Sequence, residues 1–187
     1  MQQPILKEFP QEFHTERLYI RLPLPGDGEI VHEAISVSKE ALKKWLPFAQ
    51  KDQTLEETEA NIREAHLAFL KRDDLRLHIF AQNSGAFVGS TGLHRIDWSI
   101  PKFEIGYWLD SRQIGKGYMT EAVAGLTAFA FEQLAAQRVE VRCDSKNIKS
   151  RAIAERLGFT LEGILKKDSL AVDSEELRDT CVFAKVR

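Results

Sequence analysis

Asp110-Ser111-Arg112-Gln113-Ile114-Gly115-Lys116-Gly117 stands where an apolar, strand-like segment ends and a long helical pattern begins. Backbone N–H groups at a helix start lack intrahelical partners, and the macrodipole adds positive potential there. Glycines remove the side chains that would hold a phosphate away from those groups. Arg112 and Lys116 add charge, and Thr120 adds a hydroxyl in the first helical turn. The chemistry is anion binding, most simply of a diphosphate. A pattern this loose arises by chance in about one chain in six of this length, so alone it names no ligand. A Walker A loop needs Ser or Thr after Gly-Lys, where Gly117 stands. A dinucleotide fingerprint needs a small third residue where Thr120 stands, inside a parallel βαβ opening.

Two further groups flank this segment. Phe103-Glu104-Ile105-Gly106-Tyr107-Trp108-Leu109 precedes it, and Asn147-Ile148-Lys149-Ser150-Arg151-Ala152 follows the next strand. Alternation puts Glu104 on one strand face with Gly106 and Trp108, opposite Phe103, Ile105 and Tyr107. A carboxylate beside a large aromatic in a sheet suits proton removal near neutrality, because burial raises its pKa. On spacing alone a solvated strand glutamate is the plainer reading. Ser150 stands at the head of a short helix, where an N-cap is the plain reading. His14, His32, His66, His78 and His94 show no ligand spacing, and Cys143 and Cys181 fall in strand-like runs, so no metal site is expected.

Positioning these residues requires a sheet. Arg17–Leu22 alternates as a half-buried strand and is stopped by Pro23-Leu24-Pro25-Gly26. Helical spacing covers 27–36, 39–46 and 55–72, the last opened by Thr54 with Glu57 completing a capping box. Strands follow over 76–81, 86–97 and 102–109, the first two joined as a hairpin at Asn83-Ser84-Gly85. A helix over 118–134 carries Met119, Ala122, Val123, Leu126, Phe129, Ala130 and Leu134 on one face. A strand over 138–143, a helix over 150–157 closed by Gly158, and strands over 159–171 and 177–186 complete the chain. A meander followed by strand-helix alternation predicts a mixed α/β sheet with helices packed on it.

The 187 residues are a usual size for one domain, so 1–187 is expected to be a single unit. Net charge −2 gives no basic footprint, which argues against a dedicated nucleic-acid binder. No apolar run suits a signal peptide or a membrane helix, so a soluble cytoplasmic protein is expected.

In order and spacing these pieces resemble the GNAT acetyltransferase superfamily, closest to the branch with the RimJ and RimL ribosomal-protein N-terminal acetyltransferases. The resemblance runs from Thr15-Glu16-Arg17-Leu18 through Trp45-Leu46-Pro47-Phe48 and Leu157-Gly158-Phe159 to the last two strands. It implies a mostly antiparallel sheet splayed between two central parallel strands, 102–109 and 138–143, with helices on both faces. Acetyl-CoA is then the cosubstrate, with its pyrophosphate on the backbone amides of Gln113, Ile114, Gly115, Lys116, Gly117, Tyr118 and Met119 and its pantetheine along the edge of Glu104–Leu109, as an added strand would pair. A backbone N–H of Trp108 or Leu109 would face the thioester oxygen, and Asn147 would contact the pantetheine. The branch carries a glutamate at Glu104, which favours a general base there, directly or through a water. Ser150 would lie near the sulfur as a proton donor. Many members place a tyrosine in this region, yet no tyrosine follows Tyr118. Trp45 and Phe48 match a stretch that lines the acceptor cleft. The acceptor is a primary amine: a protein N-terminus, a ribosomal one included, or a polyamine, amino acid or antibiotic. A binding module without turnover is the other class, against which Glu104, Asn147 and Ser150 together argue. A homodimer, the commonest symmetric assembly, is left open.

Overall fold

The computed structural model describes residues 3–187. Among them, eight strands and four α-helices run in the order β1 (Glu12–His14), β2 (Leu18–Arg21), α1 (Gly28–Leu42), α2 (Leu55–Lys71), β3 (Leu75–Ala81), β4 (Phe87–Asp97), β5 (Lys102–Leu109), α3 (Tyr118–Gln133), β6 (Arg138–Asp144), α4 (Ile148–Arg156), β7 (Thr160–Leu170) and β8 (Leu177–Val186). One sheet holds all the strands in the order β1-β2-β3-β4-β5-β6-β8-β7. Only β5 and β6 pair in parallel. Their ladder covers Lys102↔Arg138, Phe103↔Val139 and Glu104↔Glu140 and then stops. From Ile105 to Leu109 the two strands part, and Glu104 stands at the fork.

Strand alternation feeds two cores. Leu18, Ile20, Leu75, Leu77, Ile79, Val88, Phe103, Ile105, Val139 and Val141 pack against Met119, Ala122, Val123, Leu126 and Ala130 of α3. On the other face Phe80 and Phe87 meet Val31 and Ala34 of α1 and Ile62 of α2, with Trp108 against them. Helices thus cover both faces, and the sheet is mixed and mostly antiparallel, as expected. None of the helices among the described residues is long and apolar enough to cross a membrane.

Several local signals form as their chemistry requires. Thr54 accepts from the Glu57 N–H at 3.1 Å, and the Glu57 carboxylate accepts from the Thr54 N–H at 2.7 Å, so the capping box is complete. Besides the short β1, which the sequence does not show, two elements differ from the sequence expectation. Segments 27–36 and 39–46 form one helix, α1, because its buried stripe Val31, Ala34, Ser38, Leu42 is continuous. Ser38 breaks the apolar pattern, yet it is buried and its hydroxyl accepts the Ser111 N–H at 2.8 Å. Ser150 is not the helix cap. Asn147 is, accepting the Ser150 N–H at 3.1 Å, which frees the serine hydroxyl.

The start of α1 is pinned by a buried polar knot. Asp27 accepts from Arg21 at 2.8 Å on both oxygens, from His78 Nδ1 at 2.8 Å and from the Leu24 N–H at 3.0 Å. Burial alone would raise the Asp27 carboxyl, but the hydrogen bonds from Arg21 and His78 outweigh it and hold it well below the carboxylate range. Burial keeps His78 neutral by lowering its pKa. A lowered folded pKa means that the stabilisation is fully present above the unfolded value of about 3.9 and is lost as pH falls toward the folded one. Asp27→Ala is therefore expected to cost about 3–5 kcal/mol in urea unfolding at neutral pH, because it strands an arginine with only 13% of its side chain exposed and removes the partner of the buried His78. The deficit should shrink on acidification below about pH 4.

Candidate active site

The glycine loop leaves β5 through a short 3-10 turn at Ser111–Gln113 and enters α3 at Gly117. Gly115 and Gly117 have φ of +85° and +77°, the left-handed region where an L side chain costs about 1–2 kcal/mol. Gly117 is the α3 N-cap and supplies no side-chain acceptor. Among the described residues no acceptor within the chain meets the N–H groups of Gly115, Lys116, Gly117, Tyr118, Met119 and Thr120. The loop is exposed from Ile114 to Gly117. These donors fit the pyrophosphate of coenzyme A: they converge at a positive helix end with no β-carbon in the way. The Gln113 N–H is already bonded to the Asp110 carbonyl at 2.9 Å, and the longer Ile114 N–H bond to Ser111 is 3.4 Å. The available cradle therefore begins at Gly115.

Of the two cations the sequence suggests, Lys116 stays on the loop and Arg112 does not. Arg112 turns away: its guanidinium is held by Asp110, which is fully buried, at 2.7 Å and by Glu33 at 2.5 Å. Those two carboxylates push its pKa further up. In its place Arg17 donates to the Lys116 carbonyl at 2.9 Å and stacks over Tyr118, 4.9 Å from the ring centre. Glu121 and Thr15 lock the base of that arginine to α3. Arg156 of α4 reaches Thr120 Oγ1 at 3.1 Å. Lys116 itself bonds Gln113 at 2.8 Å. Arg17 appears in the sequence only at a strand start, and Arg156 only within a short helix, so neither carries a signal.

Behind the loop, the parted half of β5 offers its edge. The Trp108 carbonyl presses on Gly89, 2.3 Å from where a β-carbon would stand, and the Asp110 N–H bonds the Val88 carbonyl at 2.9 Å. Even-numbered residues therefore point at β4, and alternation turns the amides of Tyr107 and Leu109 into the split. Of the two expected donors, the Leu109 N–H faces the split and the Trp108 N–H faces β4.

Across the split, α4 contributes Asn147 and Ser150. The Ser150 hydroxyl lies 2.9 Å from the Tyr107 phenol, which also reaches the Ser150 carbonyl at 3.1 Å. A tyrosine thus does enter this region, from β5 rather than from the chain after Tyr118. Burial pushes the Tyr107 hydroxyl up to about 12, opposed by the Ser150 bond, so it stays protonated. Cys143, on the strand beside them, is pushed up to about 11, chiefly by burial, and remains a thiol.

On the other face of β5 opens a cleft of about 650 Å³. Its floor is Arg76, His78, Ser90, Thr91, His94 and Gly106–Trp108, and its walls are α1, Leu46–Phe48 and the start of α2. Phe48 stands in the wall with its ring 6.1 Å from Trp108. Trp45 does not line the cleft; it is half-buried, with Lys44 Nζ 4.9 Å from its ring. Glu104 shares the cleft face at the fork. Burial raises its pKa, opposed by Arg95, at 3.2 Å, and by Arg142.

Comparisons with known proteins agree with this geometry. The acetyltransferase (GNAT) domain family matches residues 17–160. A Bacillus subtilis protein named "Putative ribosomal N-acetyltransferase YdaF" is 35% identical over 152 residues, 80% of this chain and 81% of its own. The Escherichia coli ribosomal-protein-serine acetyltransferase is 26% identical over 92% of this chain and 94% of its own. Among solved structures, RimL, the ribosomal L7/L12 α-N-protein acetyltransferase, in complex with coenzyme A superposes with a TM-score of 0.85 at 24% identity, covering 95% of this chain and 97% of that one. At that identity the likeness is one of fold. With the family match spanning most of the chain and the cradle matching the ligand, the chain belongs to the GNAT acetyltransferases and is an acetyl-CoA-dependent N-acetyltransferase.

Proposed function

We propose that residues 1–187 act as one catalytic domain in the cytoplasm, transferring acetyl directly from acetyl-CoA to the α-amine of a protein N-terminus. The observation that carries this reading is the meeting of cradle and cleft at one fork: β5 borders the cleft through Gly106–Trp108 and runs from its end into the glycine loop. The names of the B. subtilis and E. coli relatives support a ribosomal protein as acceptor.

In this reading the pyrophosphate rests on the amides of Gly115–Thr120, with Lys116, Arg17 and Arg156 adding charge. Asn147 holds the pantetheine through the amide nitrogen that its capping bond leaves free. The Leu109 N–H stabilises the oxygen of the tetrahedral adduct. Glu104 drives proton removal from the acceptor, directly or through a group between it and the cleft. Ser150, steadied by Tyr107, protonates the leaving thiolate. Phe48 and Trp108 wall the acceptor's first residues. Holding both substrates in one place supplies much of the acceleration through proximity.

The acceptor is tested by a thiol-release screen of acetyl-CoA against N-terminal peptides, polyamines, amino acids and aminoglycosides. The highest kcat/KM should fall among peptides with a free α-amine, and an N-blocked peptide should give none. A polyamine or aminoglycoside preferred over every peptide would move the acceptor to the small-molecule class.

Tyr107→Phe removes the partner of the Ser150 hydroxyl without unpacking the ring. It should lower kcat about tenfold, the scale of one hydrogen bond, with acetyl-CoA affinity kept. Unchanged kcat would take Tyr107 out of the proton path.

A further inference from the structure

The sequence left His94 without a role, and the fold gives it a built seat. Strands β4 and β5 pair with Gly92 opposite Gly106 and His94 opposite Glu104. Two facing glycines leave a patch of bare backbone on the cleft side, and the His94 ring lies over it. A β-carbon at Gly92 would come within 2.9 Å of Cε1 and Nε2, and one at Gly106 within 2.9 Å of Cδ2 and 3.1 Å of Nε2. From the short link between α2 and β3, Asp74 bonds His94 Nδ1 at 2.6 Å. That carboxylate fixes the tautomer with hydrogen on Nδ1 and leaves the Nε2 lone pair. Nε2 has no hydrogen-bond partner among the described residues, and His94 borders the cleft whereas Glu104 is set behind its lining.

We propose that His94, held by Asp74, is the group that takes the proton from the acceptor ammonium in the cleft. The proposal rests on the acetyl-transfer reading and names the group between Glu104 and the amine. One N–H bond of the ammonium breaks, and the proton passes to the Nε2 lone pair. The amine keeps its electron pair for the thioester carbon. The imidazolium has its Nδ1–H on Asp74 and the Glu104 carboxylate as its cross-strand neighbour, roughly 5 Å away between β-carbons. Its proton returns to water, since the ring is 31% exposed. The charged groups around it are Asp74 from the α2–β3 link, Glu104 from β5, Arg95 beside it on β4, Arg76 from β3, Glu57 from α2, and Lys51 and Asp52 from the segment before α2. Gly92 and Gly106 then serve the chemistry by sparing room for the ring.

The test uses the full chain with its best peptide acceptor, measuring kcat and KM from about pH 5 to 9. Acetyl-CoA binding, read from thermal shift, and turnover of the unaltered protein come first, because their absence would overturn acetyl transfer itself. His94→Gln should then lose about 10²–10⁴-fold in kcat and flatten the acid limb, with acetyl-CoA affinity unchanged. Asp74→Asn should move the acid limb to lower pH, because removing the anion makes the imidazole less basic, with about a tenfold loss of kcat. A His94→Gln protein with unaltered kcat and profile overturns the proposal. If that variant does not fold, an acid limb that stays in place in Asp74→Asn overturns it equally.

Discussion

Gly117→Trp is expected to abolish the stabilisation that acetyl-CoA confers on this protein. In the unaltered chain a ligand that binds only the folded state adds about 2.7 kcal/mol at a hundredfold excess over Kd. The variant should show none at the same concentration. Two effects combine. Gly117 sits at φ +77°, where any β-carbon strains the backbone that aims the Gly115–Thr120 amides. The indole would also fill the space over the helix end where the pyrophosphate rests, near Arg17 Nη2, which lies 3.5 Å from a β-carbon at this position. The strain alone costs about 1–2 kcal/mol of fold stability, so Gly85→Ala is the matched control. Gly85 has φ +70° in the β3–β4 turn with open space around it. It should pay the same backbone cost and keep the full ligand response. A Gly117→Trp protein with unaltered acetyl-CoA affinity would contradict the cradle.

Glu104→Gln separates catalysis from stability in opposite directions. Turnover should fall about 10²-fold or more at neutral pH, with acetyl-CoA affinity nearly intact. Stability should rise. The folded carboxyl has a raised pKa, chiefly from burial, so its contribution is favourable below the unfolded value of about 4.3 and is lost as pH rises through the folded one. At pH 7 the buried carboxylate is thus a burden that glutamine lifts. Arg95, 71% exposed, returns to water at little cost when its partner goes. A variant that melts later yet turns over poorly is the pattern of a residue kept for chemistry. Equal loss of both would make Glu104 a structural ion pair, and no loss of turnover would remove it from the mechanism.

What the sequence revealed was what lies close along the chain. The strand–loop–helix unit around Gly115 and Gly117, the Thr54–Glu57 capping box and the α3 face were readable because each depends on neighbours within a few residues. The three-residue strand β1 was missed, since Glu12–His14 is too short to show alternation. The site residues that escaped are joined by the fold. Arg112 was read as a phosphate ligand because its partner Glu33 is 79 positions away. The Tyr107–Ser150 contact spans 43 positions and the His94–Asp74 pair 20. No spacing rule reaches across such gaps. Gly92 and Gly106 looked like ordinary strand glycines until the register set them opposite each other beneath an imidazole. Trp45 and Phe48 carried equal weight in sequence, and only the turn at Pro47–Ala49 decided which ring enters the cleft.

Direct transfer at the fork is tested best by initial rates with acetyl-CoA and the preferred peptide varied together, coupled to intact-mass analysis of the enzyme. Cys143 is a half-buried thiol with a raised pKa and Ser150 is bonded to a phenol, so neither is prepared as a nucleophile. Direct transfer gives intersecting reciprocal plots and no acetylated enzyme when acetyl-CoA is added alone. Parallel plots with an acetyl group retained on the protein would contradict it.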